Sequence, residues 1–291
     1  MRIRDLYSKK HCEISFEVFP PKTEKGLETL FATAQHLAAH RPGFISGTYG
    51  AGGATTDRGR DRTLGMLDTI RSRYNVPVTA HFTCVGNTQE DIRAWLSQAT
   101  LLGIENIMAL RGDPPQGAAE FVPTPGGLRH ASELVALIRR EFPHFGIGVA
   151  GYPEGHREAP SREADLLYLK HKVDCGADAV YTQLFFDNDD FLRFRDRAVA
   201  AGIRVPIIPG VLPVLSLTQV QRITALCASR LTDRLWERLK SHEGDAEAQI
   251  QVGIDYAAEQ SRGLLKEGVP GIHYYVLNRS DTIRSILEQV L

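Results

Sequence analysis

The run CEISFEVFPPK sets a carboxylate, Glu17, between Phe16 and Val18 in a stretch that is otherwise mostly apolar and ends in two prolines. Desolvation there is expected to raise its pKa, keeping it protonated near neutral pH and able to give a proton; a paired core carboxylate is the plainer alternative. The run ALRGDPP sets Arg111 and Asp113 on either side of Gly112. The arginine suits a phosphate or a polar ring edge, the aspartate can accept hydrogen bonds from a heterocycle or stabilise a cation, and the glycine permits close backbone approach. A local turn with an Arg-Asp surface pair is the alternative here. Other polar residues stand late in apolar runs or just after them: Thr48 and Tyr49, His81, Tyr152 followed by His156, Gln183, and Tyr274 and Tyr275 followed by Asn278 and Arg279. Singly, each has an ordinary explanation, such as a hydrogen-bonded core histidine or a tyrosine filling a barrel.

These residues need elements to bring them together. Short runs rich in β-branched residues predict strands at Glu13 to Phe19, Phe44 to Tyr49, Pro77 to Thr83, Asn106 to Arg111, Gly146 to Tyr152, Ala179 to Phe185, Val205 to Gly210 and Gly271 to Val276. Helical spacing follows each, at about 24 to 39, 60 to 74, 88 to 102, 130 to 142, 161 to 174, 188 to 201, 216 to 228 and 280 to 291. Caps are expected at Asn87 and Thr88, at Ser161, and at Ser280 with Asp281. Eight strand-helix units in 291 residues predict one (β/α)8 TIM barrel domain over 1-291, with a doubly wound open sheet as runner-up. The charged interval 230 to 268 predicts extra helices before the last strand, read as a solvated face ahead of an oligomer contact. In such a barrel the strands' C-terminal ends form the site, and the polar residues above gather on that rim. A buried polar group costs about 1 to 3 kcal/mol unless paired, so a shared ligand site explains the pattern economically.

Other chemistries fare less well. A net charge of -1 offers no basic field for nucleic acid or anionic membrane. No apolar run reaches the roughly 20 residues of a membrane span, and the start lacks a signal-peptide core, so a cytoplasmic protein is expected. Four scattered cysteines suggest neither disulfides nor a thiolate metal site, and the histidines lack ligand spacing, so no metal is expected. The glycine-rich run TYGAGGATTDRGRDRT matches neither phosphate-loop fingerprint and reads as an active-site loop. No GxSxG elbow is present. A glycosidase using Glu17 and Asp113 stays open, although both tryptophans, Trp95 and Trp236, fall in helical segments rather than on the rim.

The runs SFEVFPPK, TYGAGG, AHFTC, ALRGDPP, YPEGH, DLLYLKHKVDCGAD, TQLFFD, PGVLPV and HYYVLNR, in that order from Ser15 to Arg279, resemble the methylenetetrahydrofolate reductases. The length is similar to the bacterial, single-barrel form. The resemblance implies a (β/α)8 barrel that binds FAD without a covalent bond. It implies a ping-pong cycle in which NADH or NADPH passes hydride to the flavin and leaves. Methylenetetrahydrofolate then opens to an iminium and is reduced to methyltetrahydrofolate, which supplies methyl groups for methionine synthesis. It implies Glu17 as the acid for ring opening and Asp113 as the group that stabilises the iminium and contacts the pterin. The implied flavin contacts are Thr48, Tyr49, Ala51, His81, Arg111, Gly112, Asp113, Ala131, Tyr152, His156, Ala159, Asp165 and Lys172. Asp113, Gln183, Gln219, Tyr275 and Arg279 are implied for folate, with Gln183 also reaching the nicotinamide, and a homodimer or homotetramer is implied as the assembly.

The chain departs from the family pattern at Ile223, where a Phe that packs on the nicotinamide or folate is usual, at His130, where a Tyr is usual, and at Tyr168, where an Asn is often found. The first bears on the choice between NADH and NADPH, the other two on contacts near the adenosine end. An electron-relay member taking electrons from a partner protein is the remaining alternative.

Overall fold

The computed structural model describes residues 1–8, 11–49, 57–114 and 121–291, the side chains of 57–61 excepted. Eight parallel strands, β1 (Glu13–Val18), β2 (Phe44–Gly47), β3 (Val78–Thr83), β4 (Asn106–Leu110), β5 (Gly146–Gly151), β6 (Ala179–Leu184), β7 (Ile207–Val211) and β8 (Gly271–Tyr275), close in chain order, so the barrel and not the open sheet is formed. The helices are α1 (Ile3–Leu6), α2 (Glu24–Ala38), α3 (Asp57–Tyr74), α4 (Gln89–Leu101), α5 (Ala131–Glu141), α6 (Arg162–Asp174), α7 (Asn188–Ala200), α8 (Leu217–Cys227), α9 (Asp233–Lys240), α10 (Ala246–Lys266) and α11 (Ser280–Val290).

Strand alternation divides the side chains. On β1, Phe16 and Val18 face outward and join the layer between sheet and helices with Leu30, Leu37 and Ile286. Ser15 and Glu17 face the barrel axis, where they meet side chains of β3 and β8. The closing register pairs Ser15 with His273 and Glu17 with Tyr275, which sets a polar column along one inner wall. Below it, the barrel floor is mostly apolar: Phe44, Met108, Ala179, Tyr181 and Ile208 cluster with Ile3 and Leu6 of α1.

Helix α1 was not foreseen, because one turn has too little periodicity to read and is unstable alone. It is held by the barrel floor, where the Ile3 amide donates to Asn106 Oδ1 at 2.7 Å. Two expected caps shift. Thr88 caps α4 with Asp91 in a reciprocal box, while Asn87 is buried and donates to the Thr83 and Val85 carbonyls. At α11 the cap position is Arg279, without a side-chain cap bond, and Ser280 Oγ instead meets His36 Nδ1. The Ser161 cap forms, accepting from the Ala164 amide at 3.1 Å. Among the described residues no helix is long and apolar enough to cross a membrane.

The solvated-face reading of 230 to 268 is corrected. Helix α10 buries Val252, Ile254, Tyr256, Ala257, Gln260, Ser261 and Leu264 along one side, and Ile254, Ala257 and Leu264 belong to the main core. The segment's high charge lies on its other face, where Arg234 and Arg238 reach Glu259.

Candidate active site

Strand order places the expected residues around the C-terminal mouth of the barrel. On the β1, β3 and β8 flank, Glu17 Oε2 lies 3.3 Å from His81 Nε2 and 3.6 Å from His273 Nε2. His273 Nδ1 is bonded to Ser15 Oγ at 2.8 Å. Burial alone would push the Glu17 carboxyl up, but the two imidazoles together outweigh it and hold the carboxyl below its ordinary value. The expected elevation is thus reversed: in the free protein Glu17 is a carboxylate. Burial holds the His81 imidazole below its ordinary value, although Glu17 pulls it the other way. Glu17 and His81 are therefore coupled, each favouring the charged form of the other.

The loop after β8 locks this flank. Leu277 and Asn278 both adopt left-handed backbone, with φ of 52° and 55°. Asn278 Oδ1 accepts from the Phe19 amide at 3.1 Å and its Nδ2 donates to the Phe19 carbonyl at 2.9 Å. A side-chain amide thereby replaces a strand neighbour for the chain leaving β1, directly before Pro20 and Pro21. Tyr275 OH donates to the Thr182 carbonyl at 2.7 Å, which ties β8 to β6 across β7.

The other flank is built from β4, β5 and α6. Arg111 does not pair with Asp113 as its immediate partner; it makes a two-pronged contact with Glu158, at 2.5 and 2.9 Å, and its guanidinium lies over the Phe121 ring. The Arg111 bonds hold the Glu158 carboxyl below its ordinary value. Gly112 has φ +89°, and a Cβ there would lie 2.6 Å from Val85 Cγ1, so only glycine fits the turn. Asp113 is exposed, and its charge is felt by Arg111, Tyr152 and Cys227. The Tyr152 ring meets the His156 ring edge-on with centroids 4.6 Å apart. The His156 amide donates to Asp165 Oδ2 at 3.2 Å, and the Ala159 amide to the His156 carbonyl at 3.0 Å, which folds YPEGH back onto α6. Lys172 reaches inward from α6 and donates to the Ala150 carbonyl at 2.6 Å, with its ammonium 6.0 Å from the Tyr152 ring centroid. Burial pushes that amine down to about 8, against the pull of Asp165. Burial likewise pushes the Asp165 carboxyl up and the His156 imidazole down.

The remaining expected residues divide. Gln183 lies near the end of β6, its Oε1 accepting from the Leu184 amide at 2.9 Å, and Gln219 Oε1 accepts from the Leu215 amide at 2.9 Å. Arg279 is exposed at the start of α11, and Ala131 opens α5 after His130. Thr48 follows β2, and its Oγ1 is buried without a hydrogen-bond partner. The Tyr49 ring instead packs edge-on against Phe82 and Trp95, so its side chain belongs to the core. Ala51 lies outside the described residues. Sequence reasoning missed His273, Ser15, Glu158 and Cys227. The alternations Ser15-Phe16-Glu17 and His273-Tyr274-Tyr275 were the available signal for the first two, since both pairs lie two apart on inward-facing positions. Cys227 was legible as the third member of a helical edge, Gln219, Ile223 and Cys227, at spacings of four.

The residues can accommodate a flavin dinucleotide on two observations. Lys172 and Arg111 bring cations to one flank, and the buried Thr48 Oγ1 and Thr83 Oγ1 lack partners. No group of three or more His, Cys, Asp or Glu among the described residues could hold a metal.

Comparison with known proteins identifies the family. The family described as Methylenetetrahydrofolate reductase matches residues 2–291. The 5,10-methylenetetrahydrofolate reductase of Escherichia coli strain K12 is 40% identical over 268 residues, covering 92% of this chain and 87% of the relative. "Methylenetetrahydrofolate reductase (NADH) 1" of Zea mays is 39% identical over 283 residues, covering 94% of this chain and 47% of the relative, so the chain spans about half of the plant protein. Among solved structures, an uncharacterized protein from Clostridium thermocellum that binds two copies of 5-methyl-5,6,7,8-tetrahydrofolic acid superposes with a TM-score of 0.63 at 16% identity, over 99% of this chain and 96% of that one; this likeness concerns the fold.

Proposed function

Because the chain belongs to the methylenetetrahydrofolate reductase family, we propose that it reduces 5,10-methylenetetrahydrofolate to 5-methyltetrahydrofolate with NADH or NADPH as donor, through a bound FAD. The observation that carries this reading is a half-buried carboxylate, Glu17, set between two imidazoles on one flank of the mouth, with Lys172 and Arg111 on the other. The flavin, when bound, supplies the two-electron relay between nicotinamide and folate. Lys172, Arg111, His156 and Asp165, with Tyr152, Gly112, Thr48 and His81, form its proposed cradle. Ala131, Ala159 and the backbone at Tyr49 and Ala51 complete the assignment.

The rest of the proposed mechanism belongs to the chain's own groups. Opening the folate ring leaves a nitrogen that needs a proton, and Glu17 is the donor. The imidazoles hold the Glu17 carboxyl low in the free protein, so it takes its proton from water as the ligand arrives. Covering the mouth with ligand strips water from the carboxylate and raises its pKa. Asp113 faces the positive charge that develops on the opened ring, while Gln183, Gln219, Tyr275 and Arg279 orient the folate. The catalytic unit is one domain over 1–291, acting in the cytoplasm and assembling as a homodimer or homotetramer.

The test is spectroscopic. Purified protein should be yellow, bleach anaerobically with NADH or NADPH, and regain its colour when methylenetetrahydrofolate is added. A protein that binds no FAD would overturn the reading, whereas flavin inert to both nicotinamides would favour electrons from a partner protein.

A further inference from the structure

The chain leaving β6 is held in an unusual way. Three consecutive carbonyls beyond the substrate-facing Gln183 are each taken by a side chain from far downstream. Leu184 O accepts from Ser229 Oγ at 2.9 Å, Phe185 O from Gln260 Nε2 at 2.9 Å, and Phe186 O from Tyr256 OH at 2.6 Å. Tyr256 OH also meets Thr232 Oγ1, the cap of α9, at 3.1 Å. Gln260 and Tyr256 are buried, and buried amides and hydroxyls are tolerated only when paired, so the α9–α10 insertion is fixed in register on the β6 exit.

The connection from α8 to α9 closes the same clasp from the mouth side. Helix α8 ends at Ala228 in left-handed backbone, φ 55°, a conformation that a residue with a Cβ adopts only when its surroundings impose it. What imposes it lies in the next two residues. Besides the Ser229 bond, the Arg230 amide donates to both oxygens of Glu154 after β5, at 3.0 and 3.1 Å. The Arg230 guanidinium reaches Asp187 and Asp190 of the β6–α7 segment, each at 2.9 Å. One turn back on α8 lies Cys227, the last member of the edge that also carries Gln219 and Ile223, and Cys227 feels the charge of Asp113.

We propose that Ser229 and Arg230 are positioning residues: with Glu154 and Asp187 they hold the Gln219–Ile223–Cys227 edge of α8 over the barrel mouth and so set affinity for the ligand on the folate side. This rests on the reading given under the proposed function. The clasp touches no reacting atom. It acts by fixing the backbone on both sides of the ligand pocket, the β6 exit after Gln183 and the end of α8. Because Arg230 is itself half exposed, its ion pairs alone are weak, and the main-chain bonds carry the geometry.

The experiment uses the full-length holoprotein with Ser229→Ala plus Glu154→Ala, which removes the acceptor of the Arg230 amide, and Arg230→Lys as the conservative variant. Cys227 modification by an aromatic disulfide is timed after subtracting the rate in a Cys227→Ala background. Loosening the clasp is expected to raise that rate roughly 5-fold in the double variant, and by no more than about 2-fold in Arg230→Lys. KM for methylenetetrahydrofolate should rise by a similar factor, about 5-fold, with kcat nearly unchanged, the signature of lost uniform binding. An unchanged Cys227 rate in a folded double variant overturns the clasp, and so does a faster Cys227 rate with an unaltered KM. If the double variant does not fold, Ser229→Ala alone removes one hydroxyl and must shift both readouts in the same direction, or the proposal fails. A wild-type protein with no reductase activity sinks the functional reading instead, and the thiol rate then decides the clasp by itself.

Discussion

The two flanks of the barrel mouth are both polar, yet they hold charge in different ways. On the β1, β3 and β8 flank a carboxylate faces two imidazoles, side chains of the acid-base kind. On the β4, β5 and α6 flank an arginine and a lysine supply positive charge, the arginine permanently and the lysine up to about pH 8. The first flank serves proton transfer; the second supplies a positive field. A site that must both anchor an anionic cofactor and protonate a substrate needs each, and separating them lets either be tuned without disturbing the other.

The sharpest way to break that contrast is Glu17→Gln, which removes the acid and leaves the positive field. Folate reduction should fall by about 10² to 10⁴-fold while flavin reduction by the nicotinamide changes little, measured as anaerobic half-reactions in stopped flow. Equal loss in both halves would end the division of labour between flanks. Next in size is Lys172→Met on the other flank. FAD affinity should drop by about 10- to 100-fold in a fluorescence titration, because a buried charge-assisted contact is lost.

The same substitution should stabilise the cofactor-free protein. A lysine held at about 8 costs the fold roughly 3 kcal/mol at neutral pH relative to its ordinary value. Its folded pKa lies below the unfolded one, so the unfolded chain binds more protons between about pH 8 and 10.4, and stability rises with pH across that window. At pH 7 both states are charged and the cost is fully present. A melting temperature at pH 7 that falls in Lys172→Met would show that its bond to Ala150 matters more than its desolvation.

A smaller effect concerns acid. Burial depresses the His81 and His156 imidazoles, one on each flank, so the unfolded chain binds more protons than the native one as pH falls below about 6.5. Melting temperature should therefore decline from pH 7 toward pH 5, and His81→Gln should flatten the decline. The smallest effect is expected from Glu158→Gln. Its pair with Arg111 is partly exposed and worth about 1 kcal/mol or less, so FAD affinity should change no more than roughly 5-fold.

The strand-helix alternation was legible because each strand is buried on both faces and each helix on one, which writes two distinct periods into the sequence. The end residues of strands carried the rim, so Glu17, His81, Tyr152 and Gln183 could be placed before any coordinates. Partnerships were not legible. That Glu17 faces His81 and His273 depends on which strands are neighbours and on a register between the first and last of them, and no local pattern encodes it. The pKa of Glu17 illustrates the consequence: burial was foreseen, the imidazoles were not, and the direction reversed. Tyr49 shows a similar limit, since it follows Thr48 at the end of β2 and its ring packs against Phe82 and Trp95, a contact that strand alternation alone does not indicate. Helices α9 and α10 were visible as helices, but the inward face of α10 is interrupted by Gln260 and Ser261, whose partners are the Phe185 carbonyl just after β6 and the Tyr274 hydroxyl of β8, so charge dominated the reading.

The register between β1 and β8, with the Asn278 amide clamped on Phe19, carries a consequence for how the molecule comes into being. The acid lies on β1, whereas one of its imidazole neighbours, His273, and the clamp lie on and just after β8. A nascent chain can form much of the layered sheet on emergence, but its first strand has no neighbour on one side until the eighth arrives. The set around the acid is therefore assembled only when the first and last strands of the barrel meet, and a protein cut before β8 would have lost part of the environment of its acid while retaining the acid itself.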